Sequence, residues 1–215
     1  MTPALSFVLP VYRKNHILDV CVKSLISQSL KDWEAIFVLD GEDDQAEEII
    51  KREMSKTHCD YRIETIAHGG ACKARNHGRD LARGHYVVFW DADCIIEPDA
   101  AKMWVDTLDA QPEYGFIYSG YKFLGEQGAI NSEPFDPWTL RVRNYISSCF
   151  PIRRGICPEW DEGLESLQDW SFWLSAVEAG AVGKFIRGYA FSTEAPTDDS
   201  ISGRGCTPET WLSRI

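Results

Sequence analysis

The 215-residue sequence predicts one α/β domain with a mostly parallel central sheet flanked by helices. Strand-like and helix-like segments alternate through the first hundred residues, which is typical of parallel sheets. Several of the strand-like segments, such as 5–9 and 85–90, are apolar on both faces, as expected where helices cover both sides of a sheet. The length suffices for one sizeable core, and no internal repeat divides the chain.

Short apolar runs that end at proline, glycine or aspartate define the strands, and apolar positions three or four residues apart define the helices. Strands are predicted over residues 5–9, 33–39, 61–67, 85–90, 114–123 and 182–188. Helices are predicted over residues 15–29, 43–55, 70–82, 98–110, 138–146 and 164–179. Residues 125–137 and 192–215 are polar or rich in Ser, Thr, Gly and Pro, and predict loops.

Composition excludes several classes of protein. The net charge of −11 argues against a nucleic-acid-binding surface, although a nucleotide ligand needs only a local cation. Seven scattered cysteines without C-x-x-C spacing favour reduced thiols in the cytoplasm over a zinc site or a disulfide framework. No run of 18 apolar residues is present, so we expect no transmembrane segment, with peripheral association at the inner face of the membrane left open.

Two aspartates follow the fourth predicted strand directly, in the segment Asp91-Ala92-Asp93. On an extended backbone Asp91 and Asp93 would emerge on one side, at the strand end where ligands bind in open α/β sheets. Paired carboxylates favour a hard cation such as Mg²⁺ or Mn²⁺, which also binds substrate phosphates. The alternative is a solvated loop or a helix cap before Pro98.

Three nucleotide-binding fingerprints are absent from the sequence. It contains neither G-x-G-x-x-G nor a P-loop, and its first loop, LPVYRKN, lacks the glycines of sugar nucleotidylyltransferases. Gly69-Gly70 opens a predicted helix, where the backbone amides either approach an anion or form a simple turn.

Six segments follow one another along the chain in an order that can be compared with known families: SFVLPVYRKN, LISQS, WEAIFVLDG, GACKARNHG, DADCIIEPDA and GLESLQDWSFWLSAVEAG. In this order the chain resembles the family 2 glycosyltransferases, inverting enzymes of the GT-A (nucleotide-diphospho-sugar transferase) fold. Their usual pattern reads P-x-Y-N, S-L-x-x-Q, I-x-V-D-D-G-S, A-R-N-x-G, L-D-x-D and E-D. The resemblance covers about residues 5–185.

The resemblance implies a site for a nucleoside diphosphate sugar. Asp40 would accept an N–H of the base, unless it is only a turn aspartate, and Tyr12 would stack on the base or serve in packing. Arg75 would contact phosphate, or form an ion pair with an acid such as Asp91 that fixes the geometry of the site. The implied nucleotide and donor contacts are Pro10, Val11, Tyr12, Asp40, Lys73, Arg75, Asp91 and Ala92.

The resemblance also implies a divalent metal, Mn²⁺ or Mg²⁺. Asp93 would be its main ligand, and Asp91 would contact the ribose or support the metal through water. Many GT-A enzymes add a histidine from the C-terminal half, but this chain has no histidine after His85. We therefore expect weak metal binding in the absence of nucleotide.

Asp169 is the implied catalytic base, which deprotonates the acceptor hydroxyl during a direct displacement. The family has an E-D pair here, whereas this chain has Gln168-Asp169. The alternative for Asp169 is a helix N-cap.

The expected function is transfer of a hexosyl or N-acetylhexosaminyl group from a nucleoside diphosphate sugar, with a UDP-sugar favoured, to a hydroxyl of a carbohydrate or lipid-linked acceptor. Glycan or polysaccharide biosynthesis is the expected setting, and a catalytically inactive nucleotide-sugar-binding module is the alternative. We expect a catalytic domain over residues 1–190, with a donor half at 1–97 and an acceptor half at 98–190. Residues 191–215 would form a C-terminal loop or lid, with Arg204 near the diphosphate.

Overall fold

The computed structural model describes residues 2–125, 129–130 and 132–195. Within these residues nine strands form one sheet, and six α-helices accompany it. The strands are β1 (Leu5–Val11), β2 (Trp33–Asp40), β3 (Asp60–Ile66), β4 (Tyr86–Phe89), β5 (Ile95–Ile96), β6 (Phe116–Phe123), β7 (Ala129–Ile130), β8 (Ile152–Arg153) and β9 (Gly183–Thr193). The helices are α1 (Leu18–Ile26), α2 (Asp44–Met54), α3 (Ala71–Leu81), α4 (Ala100–Ala110), α5 (Pro137–Val142) and α6 (Gln168–Glu178).

The first half of the sheet is parallel, as predicted. Its strands lie in the order β3-β2-β1-β4, and Leu5 pairs with both Trp33 and Tyr86. Every residue of β2 and of β4 is buried, which explains why nearly all of them are apolar. Because these strands are parallel, the carboxyl ends of β1, β2 and β4 meet at one edge of the sheet.

The second half continues the same sheet in mixed orientation, in the order β4-β8-β6-β9-β5. β8 runs antiparallel to β4 and joins the two halves. β5, which follows Asp91-Ala92-Asp93, pairs antiparallel with the end of β9, where Ile95 faces Ser192. This pairing brings the residues just after β9 next to the two aspartates.

The structure differs from the predicted elements mainly where local pattern is weak. β5, β7 and β8 have two residues each and form only through their partner strands. α6 begins at Gln168 rather than at residue 164, because Leu167 adopts a left-handed conformation with φ of 57°. β9 runs to Thr193, so the loop prediction for 192–215 is wrong at residues 192–193. Residues 196–215, with Arg204 and the predicted lid, lie outside the described residues.

A glycine sets the distance between α3 and the sheet. A Cβ placed on Gly78 would lie 2.4 Å from Cγ1 of Val8 and 3.2 Å from Cγ2 of Val38. Only glycine therefore allows α3 to pack this closely on β1 and β2, and the same helix carries Arg75 to the edge of the sheet where the site lies.

Candidate functional site

Asp40 ends β2 and is almost fully buried, with 3% of its surface exposed. Its Oδ1 accepts the backbone N–H of Gly69 at 2.7 Å, and its Oδ2 accepts that of Gly70 at 2.9 Å. Nδ1 of His68 lies 2.9 Å from the same Oδ2. The anion at the Gly69-Gly70 amides is therefore the Asp40 carboxylate, which ties the start of α3 to the end of β2.

Tyr12 lies on the loop after β1 and contacts His68, which in turn contacts Asp40. Its ring stacks on that of His68, with centroids 4.5 Å apart and planes 15° apart. The Tyr12 side chain is 43% exposed, so it is not a core packing residue. An exposed aromatic ring next to a carboxylate is suited to bind a nucleotide base.

The remaining predicted donor contacts differ in exposure. Lys73 is exposed on the first turn of α3, and its side chain crosses Gly69. Pro10 is partly buried, whereas Val11 and Ala92 have 1% and 3% of their surface exposed. A donor that reaches the last two would therefore contact their backbone.

Arg75 forms the ion pair that was one of its two predicted roles. Its Nη2 donates to Oδ1 of Asp91 at 2.9 Å, and its Nη1 donates to Oε1 of Gln168 at 3.1 Å. The guanidinium lies 4.4 Å from the ring centroid of Trp160 and is buried. One side chain thus connects the first aspartate after β4 with the residue that precedes Asp169.

The extended backbone predicted for Asp91-Ala92-Asp93 is wrong. The segment is a turn, in which the N–H of Cys94 donates to the carbonyl of Asp91 at 3.0 Å. As a result the two carboxylates have different partners: Asp91 binds Arg75, and Asp93 binds Lys14.

Asp93 belongs to a cluster of charged residues that was not predicted from the sequence. Nζ of Lys14 lies 2.6 Å from Oδ2 of Asp93 and 3.0 Å from Oε2 of Glu194. His16 contacts the other oxygen of Glu194 at 3.0 Å. Burial, followed by the charge of Asp91, raises the pKa of the Asp93 carboxyl, and Lys14 opposes that rise. Asp93 and Glu194 thus flank one cation with carboxylate oxygens, the ligands that Mn²⁺ and Mg²⁺ prefer.

Asp169 is the second residue of α6, and the N-cap position belongs to Leu167. The N-cap alternative for Asp169 is therefore wrong. Its Oδ1 accepts the backbone N–H of Trp170 at 2.9 Å, and its Oδ2 accepts Nδ2 of Asn144 at 2.9 Å. Burial raises the pKa of the Asp169 carboxyl, and the hydrogen bonds from Asn144 and Trp170 work against it.

Asn144 has a fixed orientation towards Asp169. Its Oδ1 accepts the N–H of Ile146 at 3.2 Å, so its amino group must face the carboxylate. No local motif predicts this contact, because Asn144 lies 25 residues before Asp169.

Within the described residues, no helix is both long and apolar enough to cross a membrane.

Two solved structures of similar fold contain a bound nucleotide sugar. One is residues 1–349 of S. aureus TarS in complex with UDP-GlcNAc, with a TM-score of 0.79 and 19% identity, over 97% of this chain and 63% of that one. Another is a mannosyltransferase from Pyrobaculum calidifontis in complex with GDP-Man and Mn²⁺, with a TM-score of 0.71 and 16% identity, over 93% of this chain and 59% of that one. These matches confirm the predicted GT-A fold.

The sequence comparison defines the family. The model of glycosyl transferase family 2 matches residues 6–158, well over half of the chain, and the protein belongs to that family. It is 25% identical to an uncharacterized glycosyltransferase of Methanocaldococcus jannaschii, over 94% of this chain and 74% of the relative. It is 24% identical to chondroitin synthase of Escherichia coli over 83% of this chain, but spans only 27% of that enzyme. An uncharacterized Sinorhizobium fredii protein, 29% identical over 82% of this chain, is matched over 20% of its length.

Proposed function

We propose that the protein is an inverting glycosyltransferase that moves a sugar from a nucleoside diphosphate sugar to a hydroxyl acceptor. The observation that carries this proposal is the Arg75 side chain, which binds both Asp91 and Gln168. Through it the candidate base, Asp169, is held next to the carboxylates after β4. A donor bound at the carboxylates after β4 would therefore lie next to an acceptor bound at Asp169.

In the proposed reaction, Asp169 accepts the proton of the acceptor hydroxyl as that oxygen attacks the anomeric carbon. The nucleoside diphosphate departs from the opposite face, so the configuration inverts. Asn144 keeps Asp169 oriented and favours its charged form.

Asp93, together with Glu194, would hold Mn²⁺ or Mg²⁺ in this enzyme. When bound, the metal supplies charge neutralisation for the departing diphosphate. Lys14 already pairs with both carboxylates, so metal must displace its ammonium group. This competition supports the expectation that metal binds weakly until nucleotide phosphates contribute further oxygens.

The hydrogen-bonding capacity of Asp40 favours uracil as the base. A carboxylate has about four lone-pair sites. The amides of Gly69 and Gly70 use two of them, and Nδ1 of His68, which hydrogen-bonds the backbone carbonyl of Asp40, lies 2.9 Å from Oδ2. At so crowded a carboxylate, the one N–H of uracil is easier to place than the two that guanine presents. The TarS complex with UDP-GlcNAc is consistent with a UDP-sugar donor.

The proposed acceptor is a carbohydrate or a lipid-linked sugar. Relatives include chondroitin synthase and a putative teichuronic acid biosynthesis glycosyltransferase of Bacillus subtilis, which is 26% identical over 83% of this chain. Both names indicate polymers of sugars, and glycan or polysaccharide biosynthesis is the setting that we propose.

A thermal-shift panel tests the donor site. UDP, GDP, CDP, dTDP and their common sugar conjugates are each added with and without Mn²⁺, to the wild type and to Asp93→Asn. We expect UDP to stabilise the wild type most, by an amount that grows with metal, and the metal-dependent part to vanish in Asp93→Asn. Absence of any shift contradicts the proposal, and binding without transfer or donor hydrolysis would support an inactive binding module.

A further inference from the structure

The geometry points to a second metal site, for Zn²⁺ or a similarly thiophilic ion, formed by Asp91, Cys94 and Cys149. The Sγ atoms of the two cysteines are 3.6 Å apart, and Sγ of Cys149 is 3.6 Å from Oδ2 of Asp91. One ligand atom from each of the three residues lies within 4.8 Å of the others. The cysteine spacing concealed this group, since Cys94 and Cys149 are 55 residues apart.

These separations match tetrahedral zinc. Bonds of about 2.3 Å to sulfur and about 2.0–2.2 Å to oxygen, at tetrahedral angles, place two sulfurs about 3.8 Å apart and a sulfur and an oxygen about 3.5 Å apart. The observed distances of 3.6 Å lie close to both values. Two of the three edges therefore need little change to bind an ion, the third is at most 4.8 Å long, and water can take the fourth position.

The guanidinium of Arg75 offsets the negative charge of the filled site. Two thiolates and one carboxylate on Zn²⁺ carry a net charge of −1, and the buried guanidinium of Arg75 lies next to them. Asp91 uses Oδ1 for Arg75, while Oδ2 faces Cys149 and Ser148. The Asp91 side chain is 36% exposed, which gives the ion a route from solvent to the two buried thiols. Binding forms two Zn–S bonds and releases two thiol protons to solvent, with no change of oxidation state.

This site differs in chemistry from the one at Asp93. Thiolates select Zn²⁺ and related soft ions, whereas Mn²⁺ and Mg²⁺ prefer oxygen. Because Asp91 is shared with the donor pocket, an ion held here would block the pocket. Micromolar Zn²⁺ is accordingly expected to inhibit sugar transfer, a consequence that rests on the proposed function, whereas the binding itself does not.

Cobalt spectroscopy on the whole reduced chain tests the site without an activity assay. We expect one equivalent of Co²⁺ to give thiolate-to-cobalt charge-transfer absorption, and one equivalent of Zn²⁺ to abolish it. Cys149→Ser and Cys94→Ser should each lose most of the band intensity. Cys59→Ser, at a partly buried cysteine outside the group, should retain it.

A wild-type protein without the thiolate bands overturns the inference, as does a Cys149→Ser protein that keeps them in full. Thermal melting identifies a variant that does not fold, in which case Cys94→Ser provides the comparison. If the bands appear but no transfer is found with any donor, the proposed function fails and the metal site stands. If transfer is found but the bands are absent, the metal site alone fails.

Discussion

The guanidinium of Arg75 donates to the side-chain oxygen of Gln168 across 3.1 Å, although 93 residues separate them in sequence. Gln168 stands where the family pattern has an acid, so Arg75 here meets a neutral partner on α6 and a charged one, Asp91, after β4. The single charge of Asp91 is therefore matched by the single charge of Arg75. This arrangement fixes the spacing between the proposed donor site and the proposed base.

Replacing Arg75 by methionine is expected to destabilise the protein. Breaking a fully buried ion pair costs about 3–5 kcal/mol, but Asp91 is partly exposed, so we expect about 1–3 kcal/mol here. Urea denaturation measures the change. Arg79→Met is the matched control on the next turn of α3, since both partners of Arg79, Asp80 and Glu159, are exposed. Equal losses in the two variants would contradict the role given to Arg75.

Asn144→Ala should change the pH dependence of sugar transfer. The amide of Asn144 donates to Asp169 and favours its charged form, so its loss raises the pKa of Asp169 further. The base works deprotonated, and activity falls as pH falls through that pKa. The acidic limb of the kcat/KM profile is therefore expected to move to higher pH, while UDP binding measured by thermal shift stays unchanged. If kcat/KM decreases at every pH and the acidic limb does not shift, Asn144 has only a structural role.

Lys14→Gln is expected to tighten Mn²⁺ binding in the absence of nucleotide. The ammonium of Lys14 competes with metal for Asp93 and Glu194. A partly exposed ion pair is worth roughly 0.2–1 kcal/mol, so the dissociation constant should fall by a factor of about 1.4 to 5. Isothermal titration calorimetry measures it, with Lys23→Gln, which removes an exposed pair with Asp19 on α1, as the control. Unchanged or weaker binding would show that Lys14 does not compete with the metal.

Gly78→Ala tests the packing of α3 on the sheet. The new methyl group would lie 2.4 Å from Cγ1 of Val8, and such overpacking typically costs about 1–3 kcal/mol. Gly155→Ala is the matched control, because a Cβ at that exposed glycine meets nothing within 4 Å. Thermal and urea unfolding should show a loss for Gly78→Ala only. If Gly78→Ala leaves the free energy of unfolding unchanged, α3 can shift away from β1 without loss of stability.

The main strands and helices were predictable because their patterns are local. β1, β2 and β4 are mostly apolar and buried, and α2 and α3 have clear polar and apolar faces. The two-residue strands were not predictable, since each exists only through the strand beside it. Leu167 shortened α6 because its left-handed backbone leaves no mark in the pattern of apolar residues.

The candidate site was predictable only in part, because several of its contacts join residues that are far apart in the sequence. The ion pair of Arg75 with Asp91 was foreseen as one of two alternatives because the resemblance places Arg75 near the nucleotide site and a guanidinium suits a carboxylate partner. The contacts of Lys14 with Asp93 and Glu194 depend on the pairing of β5 with β9. The contact of Asn144 with Asp169 depends on how the segment between α5 and β8 returns to α6. Neither leaves a motif in the sequence.

Asp169→Asn tests the central claim most directly, because it removes the proposed base and nearly keeps the shape of the side chain. Wild type and variant are compared for UDP-sugar binding in the presence of Mn²⁺ and for transfer to an acceptor found by screening. We predict a dissociation constant within about twofold of the wild type and transfer reduced by about 10²–10⁴-fold, the usual contribution of general base catalysis. Transfer near the wild-type rate would contradict the assignment of Asp169 as the base.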